Sequence, residues 1–272
     1  MQIAFWSTVH GQTTTTANSV AMACMIALEY RLKTLITHNH FERSTLETSL
    51  LDKMYLRTEL TELKDSGIDA LSRFIKFNAI DKESILSYTT TILKGRLDLL
   101  MGTKNANREL YFSDLNNVIE TILDSAKQYY DLLFVDVAAG SNELSDKILM
   151  RAELVVVNLN QSTPVLDDFF NNHYEKVKGK CFFLISMYDE SSRNHLKNIQ
   201  RKYKVKEKMS VIPYCRAFAD ACNEGRAVDF FMRNIEARED DAHYPFIKEV
   251  RNSAECLLRE LEIDINNKKL GD

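Results

Sequence analysis

The chain has few of the residues that form linkers. Its 272 residues include 8 glycines and 3 prolines, and no Ser/Gly-rich or Pro-rich tract interrupts them. Such tracts commonly mark the boundary between two domains. With 45% hydrophobic residues, the chain can bury a substantial core. We therefore predict a single domain that spans residues 1–272.

Paired cysteines and a strong net charge are also missing. No two of the five cysteines stand in C-x-x-C spacing, so the sequence suggests neither a zinc knuckle nor a disulfide framework, and we expect reduced thiols. The formal charge of −4 gives no general attraction to nucleic acid or to an anionic membrane. Any such function needs a local patch of charge.

Long apolar segments are absent too. The apolar run at residues 20–28 is far too short to span a bilayer. The chain starts with a strand-like run, without the basic segment and apolar core of an export signal. Residues 266–272 have no apolar face that could lie in a membrane surface. We therefore predict a cytoplasmic protein without direct membrane insertion, which a partner would recruit if it acts at a membrane or cell pole.

The apolar pattern alternates between strands and helices. A helix is predicted at residues 13–31 and a long helical stretch at residues 45–93. This alternation predicts an α/β fold with a mostly parallel sheet and helices on both faces. Ligands of such folds bind beyond the carboxyl ends of the strands. The predicted strands are residues 2–6, 34–37, 97–101, 132–136, 154–157, 182–186 and 210–212.

The first strand leads into a loop that has the outline of a phosphate-binding loop. In an ordinary P-loop, glycine N–H groups wrap the phosphates, a lysine reaches the terminal phosphates and the next Ser/Thr holds magnesium. Here Gly11 and Thr13 are present, but Gln12 stands where the lysine is expected. The alternative is that residues 13–16 are a helix N-terminus rich in capping hydroxyls, with no ligand.

A second motif lies at the end of the predicted strand at residues 132–136. Asp136 ends this strand and Gly140 follows four residues later, which is a Walker B and switch II arrangement. In such an arrangement the carboxylate orients magnesium or its water, and the glycine amide approaches a γ-phosphate. Asp136 could instead cap a nearby turn as a structural carboxylate.

Further motifs follow in a characteristic order. Val211-Ile212-Pro213-Tyr214 and Asn223-Glu224-Gly225-Arg226-Ala227-Val228 come after the two motifs above. Together these motifs resemble the MinD/ParA family of deviant Walker A ATPases, over residues 2–261. The atypical loop at residues 10–13 and the segments at residues 67–71 and 88–103 look most similar to the TadZ/CpaE-like proteins of pilus assembly.

This resemblance assigns roles to individual positions. Gln12 would stand at the P-loop lysine and Ser7 at the family's second lysine. His38 and His40 would stand at a pair of aspartates that position magnesium and the attacking water. The resemblance implies ATP as a cofactor, with magnesium held by Thr13 and Asp136. The residues implied to contact the nucleotide are Gly11, Gln12, Thr13, Thr14, Asp136 and Gly140.

Two functions remain open at this point. The first is a dimeric organiser or scaffold for pilus or secretion machinery, with weak or absent ATP hydrolysis, because both lysines and both aspartates are replaced. The second is an active ATPase for DNA partitioning or division-site positioning. The resemblance implies a homodimer in either case. The adenine-contacting stretch of the family is likewise replaced by Ser186-Met187-Tyr188.

Histidines and basic residues suggest two further sites. His10, His38 and His40 could converge near the γ-phosphate position and hold zinc, or they could be ordinary hydrogen-bonding loop residues. The basic residues between positions 193 and 208 could hold DNA or anionic lipid, but they could also be a solvated helix and loop. DNA is therefore a conceivable partner that the sequence does not indicate. These basic residues are Arg193, Lys197, Arg201, Lys202, Lys204, Lys206 and Lys208.

Overall fold

The computed structural model describes residues 1–41, 44–57, 66–78 and 84–270. Eight strands within these residues form one sheet, in the order β3-β4-β2-β5-β1-β6-β7-β8. Seven strands are parallel, and β3 alone runs antiparallel to its neighbour β4. The strands are β1 Gln2–Trp6, β2 Thr34–His38, β3 Thr90–Leu93, β4 Leu97–Leu99, β5 Leu132–Asp136, β6 Leu154–Leu159, β7 Cys181–Ser186 and β8 Met209–Ile212.

Helices separate most of the strands. In the described residues they are α1 Thr15–Glu29, α2 Leu46–Leu50, α3 Lys53–Arg57, α4 Gly67–Phe77, α5 Arg108–Tyr129, α6 Glu143–Arg151, α7 Thr163–Asp168, α8 Tyr174–Val177, α9 Leu196–Tyr203, α10 Arg216–Glu224, α11 Ala227–Asn234, α12 Tyr244–Glu260 and α13 Ile265–Lys268. A 3₁₀ turn covers Ser84–Tyr88, and a π-helical turn covers Phe169–His173.

The core lies on both faces of the sheet. Successive side chains of a strand point to opposite faces, so Ile3 and Phe5 pack with α1 and α12 in one apolar cluster, and Ala4 and Trp6 pack with α5 and α6 in the other. All five residues of β1 are buried. A central parallel strand is covered by helices on both sides, which explains its continuous apolar run. The predicted α/β fold is confirmed.

The long helical stretch predicted at residues 45–93 is confirmed only in part, because α2, α3 and α4 lie within it but its end is not helical. Residues 58–65 and 79–83 of that stretch lie outside the described residues. At its end, the Thr90–Leu93 segment is the antiparallel edge strand β3, joined to β4 by a turn in which Gly95 has φ 72°. Thr90, Thr91 and Ile92 are β-branched, a type that favours strands. Their β propensity indicates the strand that the prediction missed.

The strand ends place the predicted motifs together. In the sheet, His38 at the end of β2 pairs in register with Asp136 at the end of β5, and Asp136 also pairs with Phe5 of β1. The carboxyl ends of parallel strands meet at one edge, where a crevice opens for ligands. The loop after β1 therefore lies beside Asp136. No helix in the described residues is long and apolar enough to cross a membrane.

Candidate functional site

The loop between β1 and α1 contains a turn at Gly11, as the sequence indicates. Helix α1 begins later than predicted. Gly11 has φ 70° and Thr14 has φ 46°, and α1 begins at Thr15 rather than at Thr13. The left-handed region favours glycine, so Thr14 holds a conformation that is unusual for a β-branched residue. The Thr14 side chain does not cap the helix, and the first turn of α1 contains no acidic residue. The positive end of the helix therefore faces the loop.

Asp136 is fully buried behind two neighbours. The Thr16 hydroxyl donates to Asp136 Oδ2 at 2.6 Å, and His40 Nε2 lies 3.2 Å from the same oxygen. The imidazole contact is a charge contact rather than a well-aligned hydrogen bond. Asp136 Oδ1 is shut off from solvent and has no hydrogen-bond partner among the described residues. The carboxylate is thus reached from the cleft only past His40 and Thr16.

Thr13 anchors the loop to the sheet through its carbonyl oxygen. That oxygen accepts the Ser186 hydroxyl at 2.6 Å and lies 3.5 Å from Asn18 Nδ2. Asn18 Nδ2 also donates to Asn158 Oδ1 and to Ser186 Oγ, each at 2.8 Å. All four of these residues are buried. The Thr13 hydroxyl lies 3.1 Å from the Thr15 hydroxyl, so it is Thr16 rather than Thr13 that contacts Asp136.

Gly140 joins the two motifs through its backbone. Its N–H donates to the Ser7 carbonyl at 3.0 Å, and its carbonyl accepts the Trp6 indole N–H at 2.9 Å. Its φ of 80° lies in the region that favours glycine. The amide that the resemblance assigns to a γ-phosphate therefore donates within the protein, to the start of the loop.

His38 is held away from the cleft by Glu47. Its Nδ1 accepts the backbone N–H of His40 at 3.1 Å, so its Nε2 carries the hydrogen and donates to Glu47 Oε1 at 2.7 Å. The Gly102 N–H donates to the same carboxylate oxygen at 2.8 Å. Burial raises the pKa of Glu47, but His38 and the backbone donors lower it more, and the net pKa lies below the ordinary value.

His40 faces two carboxylates. Burial lowers the pKa of its imidazole, whereas Asp136 and Glu47 raise it more, so the net pKa lies above the ordinary 6.5. His40 therefore carries a positive charge over a wider pH range than a free histidine. Its side chain is 16% exposed and lines the cleft.

The cleft at this edge of the sheet has a volume of about 330 Å³. Loop residues that include His10 and Gly11 form one wall, together with the first turn of α1. The other wall includes His40, Thr45 and Ala139. Gln12 is exposed and does not line the cleft, and its carbonyl accepts Asn160 Nδ2 at 3.0 Å. Of the residues implied to contact the nucleotide, Gly11, Thr13 and Thr14 line this cleft, whereas Asp136 lies behind its wall.

The three histidines do not form a metal site. His10 and His40 line the cleft, but both ring nitrogens of His38 are engaged, by Glu47 and by the His40 backbone. The part of the chain that the structure describes contains no group of three or more His, Cys, Asp or Glu side chains able to hold a metal ion. The zinc alternative is therefore wrong, because hydrogen bonds within the protein turn His38 away.

A small apolar groove of about 70 Å³ continues from the cleft. Thr14 and Ala17 belong to both, and Met187, Tyr214 and Phe246 line the far side of the groove. Tyr214 is 65% exposed and Met187 41% exposed. The Ser186-Met187-Tyr188 stretch thus supplies a loop anchor and one groove residue.

The basic segment lies apart from these contacts. All seven of its Lys and Arg side chains are exposed, and Lys202 pairs with Asp167 at 2.8 Å. This arrangement matches the solvated helix and loop that the sequence left open. Binding of DNA or lipid by this segment stays a prediction.

Sequence reasoning missed Thr16, Asn158 and Ser186. The resemblance assigns Thr13 to a metal beside Asp136, but α1 starts at Thr15 and its first turn brings Thr16 to that carboxylate. Asn158 does have a signal in the sequence. It is an amide in the otherwise apolar strand β6, and a buried amide needs hydrogen-bond partners.

The fold is similar to solved ParA and MinD structures. A ParA family ATPase from Chlorobium tepidum TLS gives a TM-score of 0.71 at 14% identity, covering 93% of this chain and 97% of that chain. The septum site-determining protein MinD from Pyrococcus horikoshii OT3, complexed with Mg-ADP, gives 0.68 at 15% identity, covering 97% and 100%. A putative plasmid partition protein from Borrelia burgdorferi B31, bound to AMPPNP, gives 0.64 at 16% identity, covering 95% and 98%.

No protein-family model and no curated protein matches the chain. Identities this low show a shared fold alone. The specific likeness to TadZ/CpaE proteins stays a prediction. The chain has the P-loop NTPase fold of the MinD and ParA ATPases, with a mostly parallel sheet and helices on both faces.

Proposed function

We propose that the protein is a degenerate MinD/ParA-like ATPase: a dimeric spatial organiser that binds nucleotide weakly and hydrolyses it slowly or not at all. One observation carries this proposal. Asp136 is fully buried, and Thr16 and His40 cover the oxygen through which it would act. A carboxylate in this condition is poorly placed to orient a metal ion or an attacking water.

The charges around the cleft also argue against efficient hydrolysis. Phosphoryl transfer depends on positive charge around the transferred group and on a positioned nucleophile. Gln12 is uncharged and lies outside the cleft lining. A charge-assisted hydrogen bond is roughly twice as strong as a neutral one, so the loss of a lysine here weakens any hold on a terminal phosphate.

Features that favour nucleotide binding remain. The first turn of α1 has no acidic residue and no side-chain cap from Thr14, and an uncapped helix N-terminus attracts phosphate. The cleft of about 330 Å³ adjoins the apolar groove beside Tyr214 and Phe246. We propose that the phosphates of a nucleotide lie in the cleft and that its base packs against the groove.

Dimerisation and partner binding complete the proposal. Met187 and Tyr214 expose apolar surface beside the groove. Such surface supports a contact with a second copy across the nucleotide face, as the resemblance implies. A pilus or secretion apparatus is the partner class implied by the TadZ/CpaE resemblance. Among the solved structures of similar fold, one is a MinC:MinD cell division protein complex from Aquifex aeolicus.

Two measurements test the proposal together. Phosphate release with ATP and magnesium should not exceed the rate of a protein-free control by more than a small margin. Light scattering at micromolar concentration should give the mass of a dimer. Robust turnover that disappears in Asp136→Ala would instead favour an active ATPase for DNA partitioning or division-site positioning. A monomeric mass both with and without ATP would contradict the proposed dimeric organiser.

A further inference from the structure

His40 is held in place by a chain of contacts. Its backbone N–H donates to His38 Nδ1, and His38 donates from Nε2 to Glu47, which also accepts the Gly102 N–H. The close approach of Gly102 leaves no room for a larger residue, because a Cβ there would lie 2.2 Å from His38 Cε1. His38 of β2, Glu47 of α2 and Gly102 after β4 thus fix the position of the His40 backbone.

His40 is also the basic side chain nearest to Asp136 among the described residues. In the described part of the chain, no lysine or arginine pairs with this carboxylate, and His40 Nε2 at 3.2 Å is its ion-pair partner. A buried carboxylate without a partner is strongly destabilising. The imidazole therefore occupies the position beside Asp136 at which a bound cation would lie.

Magnesium does not fit the same place. It requires six oxygen ligands in near-octahedral geometry and keeps several of its waters. Asp136 Oδ2 already contacts Thr16 and His40, and Asp136 Oδ1 is shut off from solvent. The Thr13 hydroxyl, which the resemblance assigns to the metal, lies against Thr15. Neither oxygen of Asp136 is thus open toward the cleft to hold a hydrated ion.

We propose that the cleft binds the polyphosphate of a nucleotide without a divalent metal, with His40 in the place of the ion against Asp136. This inference rests on the proposed function, because it takes nucleotide as the ligand. The phosphates would lie against the N-terminus of α1 and the imidazole edge of His40, both of which line the cleft. Asp136 stays covered, so it does not repel the bound anion.

The test is calorimetry of the full chain with ATP, once with magnesium and once with a chelator. The expected dissociation constants agree within about twofold, because no metal bridges protein and phosphate. ATP binding that requires magnesium overturns the inference. Absence of ATP binding under both conditions also overturns the inference. The proposed dimeric organiser would then still be tested by the mass that light scattering gives. Metal-dependent turnover, in contrast, removes the proposed function itself.

Substitutions of His40 test whether this residue is the reason that ATP binding does not need magnesium. His40→Ala uncovers Asp136, so binding in chelator should weaken by about tenfold or more, and magnesium should now restore it. His40→Gln keeps a polar side chain if the alanine variant does not fold, and should show the same magnesium dependence. His10→Ala is the matched control, since His10 lines the cleft without contacting Asp136. It should weaken binding equally with and without metal, and a His40 variant that behaves like it contradicts the proposal.

Discussion

The two walls of the cleft are built from different chemistry. The loop wall, here called the neutral wall, is fixed by neutral hydrogen bonds: the Thr13 carbonyl accepts from Ser186 and Asn18, and Asn18 also donates to Asn158. The opposite wall, here called the charged wall, is fixed by contacts to carboxylates: His38 contacts Glu47, and His40 contacts Asp136. The comparison shows that the shape of the loop and the charge beside it are held by separate residues. One can persist while the other changes.

The charged wall should be the more sensitive to a change of volume. In Gly102→Ala the new Cβ would lie 2.2 Å from His38 Cε1 and 2.3 Å from His38 Nε2, so the imidazole must leave Glu47. Overpacking of this kind costs about 2–3 kcal/mol of the free energy of unfolding. Urea unfolding measures the loss. In a His38→Ala background the same substitution should cost much less, and an unchanged cost would show that His38 is not the obstacle.

The neutral wall should be destabilised when a residue that anchors the loop is removed. Asn158→Ala removes one acceptor of Asn18 Nδ2 inside the sheet and leaves the Ser186 hydroxyl and the Thr13 carbonyl. Breaking a buried hydrogen bond of this type costs about 1–3 kcal/mol, and ATP binding should weaken as the loop loses its position. Urea unfolding and calorimetry measure the two effects. Asn171→Ala, at an exposed position, should change stability by less than about 0.5 kcal/mol. Equal losses in the two variants would mean that Asn158 anchors nothing.

The sequence predicted the central sheet well because its strands are short, buried and mainly apolar segments. Residues 2–6 and 132–136 coincide with β1 and β5. The edge strand β3 was missed, because it is short and only partly buried, and its threonines give no apolar period. Edge strands contribute less burial and therefore leave a weaker pattern.

The site was predictable as a place but not as a set of contacts. Order along the chain put the loop beside Asp136, because parallel strands end at one edge. It could not show that α1 starts at Thr15, which brings Thr16 to the carboxylate. Nor could it show that His38 turns to Glu47 while His40 turns to Asp136. Those directions depend on side-chain geometry that spacing does not specify.

The charged wall should also give the protein an acid-sensitive contact. The pKa of Glu47 is below its ordinary 4.5 in the folded state. A lowered pKa contributes stability that is present above the unfolded value and is lost as pH falls through the folded value. Glu47→Gln should therefore lose less stability than the parent when pH falls below 4.5. Urea unfolding across a pH series measures this difference. Glu143→Gln, at a carboxylate that is 71% exposed, should keep the parent's pH dependence.

The smallest effect is expected from a charge added to the loop wall. Gln12 is exposed and does not line the cleft, so a lysine there would reach a bound phosphate only through solvent. Exposed charge pairs contribute about 0.2–1 kcal/mol, and the gain in ATP affinity of Gln12→Lys should shrink as salt is added. Calorimetry at two salt concentrations measures it. Met150→Lys adds the same charge at an exposed position near the end of α6, on the amino side of the sheet, and should leave ATP binding unchanged. A gain from Gln12→Lys above about 1.4 kcal/mol, or tenfold in affinity, would mean that residue 12 enters the cleft when nucleotide binds. The loop would then change conformation when nucleotide binds. The conclusion that the shape of the loop is fixed independently of the charge beside it would be wrong.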